Sequence, residues 1–187
     1  MSPTTGDTMI TGEIVRLRPI EREDVPRFAR WFSDPEVRRH LFIYIPPSLA
    51  QEERWFERLQ ERLARNEDVV LAIETLEGVH IGNIGLHRIN WKDRNAELGI
   101  VIGEKEYWDQ GYGTDAIRTL LRFAFEEMNL HRVFLRVDAD NLRGIRCYEK
   151  CGFRREGTLR EIVFREGAYR DQLIMSVLRP EWEKRGR

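Results

Sequence analysis

The chain of 187 residues is long enough for one α/β domain with a hydrophobic core and too short for two domains of ordinary size. Its residues are 41% hydrophobic and 34% charged, which is typical of a folded protein and excludes intrinsic disorder. The formal net charge of −1 excludes a nucleic-acid-binding protein that is basic overall, and no apolar stretch approaches the ~20 residues of a membrane helix.

The first residues and the cysteines indicate the compartment. Residues 1–11 lack the basic start and apolar core of a secretory signal, and we predict a flexible leader there. Cys147 and Cys151 are the only cysteines, and two thiols at this spacing do not make a structural zinc site. We therefore expect a single domain over residues 1–187, without a metal, in the cytoplasm.

The first third of the chain predicts a strand and two helices. Alternating residues predict a strand that ends at Pro19, and apolar residues then recur at helical spacing over residues 23–32. The pair Asp34-Pro35 ends that helix, because the residue before a proline avoids the α region. Ser48 and Gln51 predict a capping box for the next helix. Its apolar stripe consists of Trp55, Phe56, Leu59 and Leu63.

The middle of the chain predicts a meander. Residues 69–75, 79–91 and 97–102 have strand composition, and short turn sequences separate them. Short connections of this kind join antiparallel neighbours.

The last part of the chain alternates helices and strands. We predict helices over residues 114–128 and 142–151, with a strand around Val133–Val137 between them. A final hairpin of strands is predicted over residues 153–164 and 169–178. A crossover through a helix requires a parallel pair in the sheet. The predicted fold is therefore α/β (α+β), with a mixed, mostly antiparallel sheet of about seven strands and helices on both faces.

A glycine-containing segment precedes the strongest predicted helix. Gly111 and Gly113 permit a tight turn that exposes successive N–H groups at the positive end of the helix. Such a helix start is a binding site for an anion. No Gly-Lys-Ser/Thr follows, so a phosphoryl-transfer loop is not indicated.

The same glycines allow a dinucleotide-binding alternative. Gly111-x-Gly113-x-x-Ala116 matches the loose fingerprint, and Asp138 lies where a ribose ligand is expected. However, about eight residues separate the strand from the glycines, where that fold requires a tight turn, and too little chain follows for a second βαβ half. An oxidoreductase that binds NAD is therefore the weaker interpretation.

The segment 141–153 predicts a short, well-capped helix. Asn141 is a suitable N-cap, and Gly152 is placed for the residue after the C-cap. Tyr148 shares a helix face with Ile145. By local rules alone, Tyr148 is a core residue with its hydroxyl towards solvent.

Together, the segments 108–116 and 141–153 resemble the acyl-CoA-binding motifs of the GNAT superfamily of N-acetyltransferases. The chain resembles the RimJ/RimL branch of that superfamily over nearly its whole length. Further similar segments are Arg16-Leu17-Arg18-Pro19, Glu97-Leu98-Gly99-Ile100-Val101-Ile102, Tyr107-Trp108 and Gly167-Ala168-Tyr169-Arg170-Asp171. The resemblance implies a GNAT-like fold and acetyl-CoA as the co-substrate.

The resemblance also implies which residues bind acetyl-CoA. The glycine loop holds the pyrophosphate, Asn141 binds the pantetheine arm, and a backbone N–H near Ile102 stabilises the oxyanion. The implied set is Ile100, Val101, Ile102, Trp108, Asp109, Gln110, Gly111, Tyr112, Gly113, Thr114, Asn141, Arg143 and Tyr148. Two residues differ from the commoner superfamily pattern. Trp108 stands where much of the superfamily has Gln or Arg, although the RimJ/RimL branch often carries Trp there, and Gly144 stands where Ser is commoner.

Amine acetylation requires a base for the ammonium and an acid for the leaving thiolate. A free alkyl ammonium has a pKa near ~10, so its deprotonation is a barrier at neutral pH. The resemblance implies Glu97 as the catalytic base and Tyr148 as the catalytic acid, and His87 is the second choice for the base. Cys147 as a covalent nucleophile remains a further alternative, favoured by the neighbouring Arg143 and Arg146.

The family places acceptor specificity in residues 38–55 and in the final hairpin. The substrate-binding candidates are His40, Phe42, Tyr44, His87 and Tyr169. We expect the α-amine of a peptide or protein N-terminus as the acceptor, with spermidine or another small amine as the alternative. A non-catalytic regulatory protein that binds CoA is the alternative from another class. A homodimer is a family-level expectation, and neither a nucleic acid nor a membrane is expected as a partner.

Overall fold

One mixed sheet organises the computed structural model, which describes residues 10–184. Its eight strands are β1 (Ile10–Thr11), β2 (Val15–Pro19), β3 (Val69–Thr75), β4 (His80–Asn90), β5 (Asn95–Ile102), β6 (Arg132–Asp138), β7 (Arg154–Arg165) and β8 (Ala168–Leu178). Its six α-helices are α1 (Val25–Ser33), α2 (Pro35–Arg38), α3 (Leu49–Ala64), α4 (Tyr112–Glu126), α5 (Leu142–Lys150) and α6 (Arg179–Glu183).

The strand order is β1-β2-β3-β4-β5-β6-β8-β7. All neighbouring pairs are antiparallel except β5 and β6, which α4 connects by a crossover. The prediction of a mixed, mostly antiparallel sheet with flanking helices is confirmed. The count of about seven strands differs from the observed eight because Ile10 and Thr11 pair with β2. The rest of the predicted leader lies outside the described residues.

Helices cover the two faces of the sheet with separate apolar clusters. The larger cluster places the buried face of α4, including Ile117, Leu121 and Phe125, against β2, β4, β5 and β6. The smaller cluster packs Phe28 of α1 and Phe56 of α3 onto the other face. The capping box of α3 is present as predicted, with Ser48 and Gln51 bonding each other's backbone N–H groups. Among residues 10–184, no helix is both long and apolar enough to cross a bilayer.

Strands β5 and β6 separate from one another along their length. They are paired only where Asn95–Glu97 lies beside Arg132–Phe134. Beyond those residues β5 continues to Ile102 and β6 to Asp138 without further pairing between them. The backbone edges of both strands therefore face an opening in the middle of the sheet, close to the N-terminus of α4. This arrangement contradicts the dinucleotide-binding alternative, which requires a parallel sheet.

Two short helices were not predicted from the sequence. Asp34 ends α1 as expected, but its side chain accepts a hydrogen bond from the backbone N–H of Glu36 and caps α2. Helix α6 begins after β8 and brings Trp182 against Phe125, with a distance of 5.6 Å between ring centroids. Both helices have five residues or fewer, which is too short to show an apolar period.

Gly103, which follows β5, has no room for a side chain. A Cβ atom at this position would lie 2.0 Å from Cδ2 of Trp31, which is 2% exposed in the smaller apolar cluster. We expect Gly103→Ala to lower the free energy of unfolding by about 1–3 kcal/mol, because the indole cannot move without disturbing its neighbours. Urea unfolding measures this change. Gly157→Ala is the matched control, since no atom lies within 4 Å of its added Cβ. An equal loss in both variants would contradict the packing at Gly103.

Candidate active site

The opening between β5 and β6 contains a cavity of about 280 Å³. Its walls are β5, the loop before α4, the first turn of α4, the end of β6, helix α5 and residues around α2. Of the acetyl-CoA-binding residues predicted from the sequence, those that line the cavity are Ile100, Val101, Ile102, Trp108, Asp109, Gly111, Tyr112, Gly113, Thr114, Asn141, Arg143 and Tyr148. The structure therefore brings together segments that are far apart in the chain.

The loop before α4 has the backbone conformation of an anion site. Gly111 is the N-cap of α4 with φ +91°, and Asp109 has φ +58°. The first N–H groups of a helix have no partner within the helix, and here those of Tyr112, Gly113 and Thr114 begin at the cavity wall. Residues in this loop fit the pyrophosphate of CoA, because an anion is stabilised by these N–H groups and by the helix dipole.

Trp108 forms the outer wall of the cavity. Its indole Nε1 donates a hydrogen bond of 2.8 Å to the carbonyl oxygen of Ile102, which fixes the ring beside the end of β5. The guanidinium carbon of Arg143 lies 3.9 Å from the centroid of the indole ring. This cation–π contact joins the α4 loop to α5 across the cavity. The Trp108 ring therefore holds the Arg143 guanidinium at the cavity, at a position where much of the superfamily has a polar side chain.

Gly113 leaves space in the floor of the cavity. A Cβ atom built at this position would lie 3.8 Å from Cys147 Sγ and 4.0 Å from side-chain carbons of Ile100 and Ile102. These three residues all line the cavity. The absent side chain therefore opens a path between β5 and α5 that fits the narrow pantetheine arm.

Tyr148 lies at the inner end of this path. It is partly buried against the larger apolar cluster, and its ring meets Phe153 edge-on at 5.9 Å between centroids. Burial raises the pKa of Tyr148, and the neighbouring Cys147 and Cys151 raise it further. The phenol is therefore protonated at neutral pH and can donate a hydrogen bond to a sulfur atom in the cavity.

Asn141 and Gly144 fix the start of α5. The side-chain oxygen of Asn141 accepts a hydrogen bond of 3.0 Å from the backbone N–H of Gly144. A Cβ at residue 144 would lie 2.8 Å from Asn141 Nδ2. The Gly in place of the family's Ser therefore accommodates the amide of Asn141, which lines the cavity.

Cys147 lines the cavity, so the reactivity of its thiol depends on whether a ligand is bound there. A hydrogen bond from Cys151 lowers the pKa of the Cys147 thiol to about 7 despite its burial, and Thr114 contributes a second. A thiolate reacts faster with alkylating agents than a thiol does. We therefore expect iodoacetamide to modify Cys147 before the buried Cys151, and CoA to slow the modification. Peptide mapping measures both rates, and labelling that CoA leaves unchanged would contradict this location of the CoA site.

Residues in and after α2 line one end of the cavity, which we call the acceptor end, and the β7–β8 hairpin is joined to it by ion pairs. His40 lines the cavity, and its Nδ1 lies 3.1 Å from Oδ2 of Asp138. Arg165 Nε lies 3.2 Å from the same oxygen. Arg39 and Glu166 form an ion pair of 3.2 Å that joins the segment after α2 to the hairpin.

Three predicted substrate-binding residues lie outside the cavity wall, two on the segment after α2 and one on the β7–β8 hairpin. Phe42 is 58% exposed, with the guanidinium carbon of Arg136 at 5.1 Å from its ring centroid. Tyr44 is exposed, and Tyr169 packs edge-on against Phe164 at 5.2 Å. These residues are not in the cavity wall itself, so they form an aromatic rim rather than a pocket.

Three other predicted site residues lie elsewhere. Gln110 is exposed, and its amide donates to the carbonyl oxygen of Glu106 instead of facing the cavity. His87 lies on β4 with its Nδ1 3.0 Å from Asp68 Oδ2, and burial lowers the pKa of His87 to about 4. It does not line the cavity, and its imidazole is neutral at physiological pH.

Glu97 is the third of these residues. Both of its carboxylate oxygens accept hydrogen bonds from arginines, one from Arg88 and the other at 2.9 Å from Arg136 Nε. Arg136 lines the cavity, and Glu97 lies behind it. Two guanidinium partners stabilise the ionised carboxylate and occupy the lone pairs that a base requires. The predicted role of Glu97 as the direct base therefore fits this geometry poorly.

Sequence reasoning did not assign Arg136 and Asp138 to the acceptor end. Asp138 was considered only as a ribose ligand, and its side chain instead bonds to His40, Gln172 and Arg165. The signal that could have indicated its role is its position in the motif, three residues before Asn141 and at the end of a predicted strand.

Comparisons with known proteins agree with this geometry. The model of the acetyltransferase (GNAT) domain family matches residues 15–154. The chain is 28% identical over 174 residues to the spermidine N(1)-acetyltransferase of Escherichia coli (strain K12), covering 93% of this chain and 91% of that protein. It is 28% identical over 179 residues to the putative ribosomal N-acetyltransferase YdaF of Bacillus subtilis (strain 168), covering 94% and 97%.

A solved structure shows the same fold with ligands. The crystal structure of spermidine N-acetyltransferase from Vibrio cholerae in complex with CoA and spermine is similar with a TM-score of 0.83 and 27% sequence identity. The similarity covers 90% of this chain and 98% of that chain. Both motif segments, 108–116 and 141–153, lie within the residues that the family model matches.

Proposed function

Because this chain belongs to the GNAT acetyltransferase family, we propose that the primary amine it acetylates is the α-amine of a peptide or protein N-terminus. The enzyme takes the acetyl group from acetyl-CoA. Membership of the RimJ/RimL branch and action in the cytoplasm belong to the same proposal, on the motifs quoted above and on the sequence expectation of two reduced cysteines. The homodimer stays a prediction.

The charge pattern at the acceptor end carries this choice of acceptor. Nearly every carboxylate there already has a cationic partner: Glu36 pairs with Lys105 at 2.7 Å, Glu166 with Arg39 at 3.2 Å, and Asp138 with Arg165 at 3.2 Å. A polyamine carries several ammonium groups, and each one that is buried on binding needs a carboxylate to replace its water. A peptide N-terminus carries one ammonium group followed by an uncharged backbone.

The aromatic rim fits the rest of a peptide. Phe42, Tyr44, Phe164 and Tyr169 are all more than half exposed, and so is Ile45, the residue after Tyr44. Exposed apolar side chains grouped around a cleft are typical of a binding surface. They can contact the first side chains of a peptide while its α-amine enters the cavity. Similarity to the putative ribosomal N-acetyltransferase YdaF supports the same acceptor class.

A polyamine is the second candidate. It is favoured by the similarity to two spermidine N-acetyltransferases and by Asp140, whose Oδ1 lies 3.9 Å from His40 Nδ1 and whose side chain is 48% exposed. Asp140 is the carboxylate at this end with the weakest ion pair among the described residues, and it is available for one distal ammonium.

Initial rates of CoA release with a peptide and with spermidine decide between the candidates. We expect kcat/KM for a tetrapeptide with a free α-amine to exceed that for spermidine by about tenfold or more, a difference of ~1.4 kcal/mol in transition-state binding. A tetrapeptide with a blocked α-amine and one lysine is the control, and mass spectrometry locates the acetyl group.

Asp140→Asn provides the matched variant. We expect it to leave the peptide rate within about twofold of the wild-type rate, because no contact to a distal ammonium is lost. A higher kcat/KM for spermidine, reduced by Asp140→Asn, would contradict the peptide acceptor and support the polyamine.

A further inference from the structure

A histidine and an aspartate that are 98 residues apart in sequence meet at the acceptor end of the cavity. His40 follows the short helix α2, and Asp138 is the last residue of β6. The His40 Nδ1 and Asp138 Oδ2 atoms are 3.1 Å apart. His40 lines the same cavity as Tyr148, the residue placed to protonate the leaving group.

Asp138 is held as an ionised acceptor. Its side chain is 1% exposed, and its second oxygen accepts a hydrogen bond of 2.9 Å from Gln172 Nε2. Burial raises the pKa of Asp138, but hydrogen bonds from His40 and Gln172 and the charge of Arg165 outweigh it, so the pKa lies below its ordinary value. The carboxylate therefore has no proton to donate, and it accepts a hydrogen bond from the imidazole.

This contact selects the tautomer of His40. An ionised carboxylate only accepts hydrogen bonds, so the proton of the neutral imidazole lies on Nδ1. The lone pair then lies on Nε2, at the opposite side of the ring. The side chain of His40 is 26% exposed, which leaves the ring partly accessible from the cavity that it lines.

We propose that His40 is the catalytic base of the acetyl transfer and that Asp138 is its positioning residue. His40 Nε2 accepts a proton from the amine as the nitrogen attacks the thioester carbonyl. The N–C bond forms, the C–S bond breaks, and Tyr148 protonates the sulfur. The ammonium loses its first proton to solvent before the attack and its second to His40, and the proton on His40 then returns through solvent to the Tyr148 phenolate.

The surroundings of His40 favour a base over a cation site. His40, Asp138 and Asp140 are close enough to hold a metal ion together. However, Arg165 Nε lies 3.2 Å from the Asp138 oxygen that a metal would need, and its positive charge opposes a second cation there. The imidazole Nδ1 also points at the carboxylate, so its lone pair is not directed at a shared metal position.

This role rests on the proposed function only in its need for an amine acceptor, since the same base serves a peptide and a polyamine. Compared with Glu97, His40 lines the cavity and has an unoccupied nitrogen, whereas both oxygens of Glu97 bond to arginines. Arg136 is the charged group that separates Glu97 from the cavity.

The first test measures kcat of His40→Gln with a peptide and with spermidine, together with the acetyl-CoA dissociation constant. We expect kcat to fall about 10²-fold with every acceptor that the wild type uses, at unchanged acetyl-CoA affinity. His131→Gln, a change at an exposed histidine outside the cavity wall, is the matched control and should match wild type. A fall in kcat with only one of the acceptors that the wild type uses would show that His40 selects the substrate. That result would overturn the proposal that His40 is the base.

Rescue by imidazole separates a chemical role from a structural one. His40→Ala leaves room for a free imidazole, and we expect added imidazole to restore kcat by about tenfold or more. EDTA should change neither the wild-type rate nor the rescued rate. Activity that EDTA abolishes, or the absence of rescue in a folded variant, would contradict the role of His40 as the base.

The tautomer provides a test that needs no acceptor. Two-bond proton–nitrogen spectra of the ¹⁵N-labelled protein at mildly alkaline pH should show His40 protonated on Nδ1, with its signals assigned from His40→Gln. Asp138→Asn should remove this preference and lower kcat, and its effect should not add to that of His40→Gln. A proton on Nε2 in the wild type would overturn the proposal, even if no tested acceptor were acetylated.

Discussion

Replacing Tyr148 with Phe is expected to lower kcat by about 10²-fold while the dissociation constant of acetyl-CoA stays the same. The phenol lines the cavity, and its raised pKa keeps the proton on the oxygen at neutral pH. The hydroxyl is therefore a donor for the sulfur as the C–S bond breaks. Removing the hydroxyl keeps the ring and its contact with Phe153, so binding and stability are preserved.

Single-turnover kinetics and calorimetry measure these two quantities. Tyr107→Phe is the matched control, because Tyr107 also lines the cavity but lies by the α4 loop, next to Tyr112. A rate for Tyr148→Phe within about twofold of wild type would remove Tyr148 from the chemical step. Equal losses in both variants would indicate a general effect of the cavity wall.

Replacing Gly113 with Leu is expected to weaken acetyl-CoA binding by at least about 100-fold, or ~2.7 kcal/mol. The new side chain would occupy the space between Ile100, Ile102 and Cys147 that the pantetheine arm requires. The fold should tolerate it, because residue 113 is in the first turn of α4 and leucine favours a helix over glycine by up to about 1 kcal/mol.

Gly113→Ala is the matched control for this variant. Its Cβ makes ordinary contacts at 3.8–4.0 Å and does not extend further into the cavity. We expect the alanine variant to bind acetyl-CoA nearly as well as wild type, and both variants to unfold at or above the wild-type urea midpoint. Tight binding by Gly113→Leu would place the pantetheine arm elsewhere.

Much of the fold follows from local patterns in the sequence. The stripe of apolar residues was sufficient to predict α4, and the short turns were sufficient to predict the antiparallel pairing of β3, β4 and β5. The glycine loop was predictable because tight turns and helix starts have local requirements. Helix α2 was not, since four residues capped by Asp34 cannot show a period.

The acceptor end of the site was less predictable because its contacts are long-range. Glu97 is a polar residue on β5, where a catalytic carboxylate would be expected. Nothing local in the sequence indicates that its oxygens accept hydrogen bonds from Arg88 and Arg136. The pairing of His40 with Asp138 depends on the position of α2 over the end of β6. Such a contact has no signature in sequence spacing, and only the assembled fold shows it.

Direct attack by the amine on acetyl-CoA within this cleft is the central claim, and Cys147 is the competing nucleophile. The low pKa of Cys147 and its place in the cavity make an acetyl-cysteine intermediate the alternative to test. The measurement is the intact mass of the protein after mixing with acetyl-CoA alone, followed by addition of the peptide acceptor. Direct transfer predicts an unchanged protein mass in the first step, and one acetylated peptide for each CoA released in the second. An acetyl adduct on the protein that passes to the peptide would contradict it.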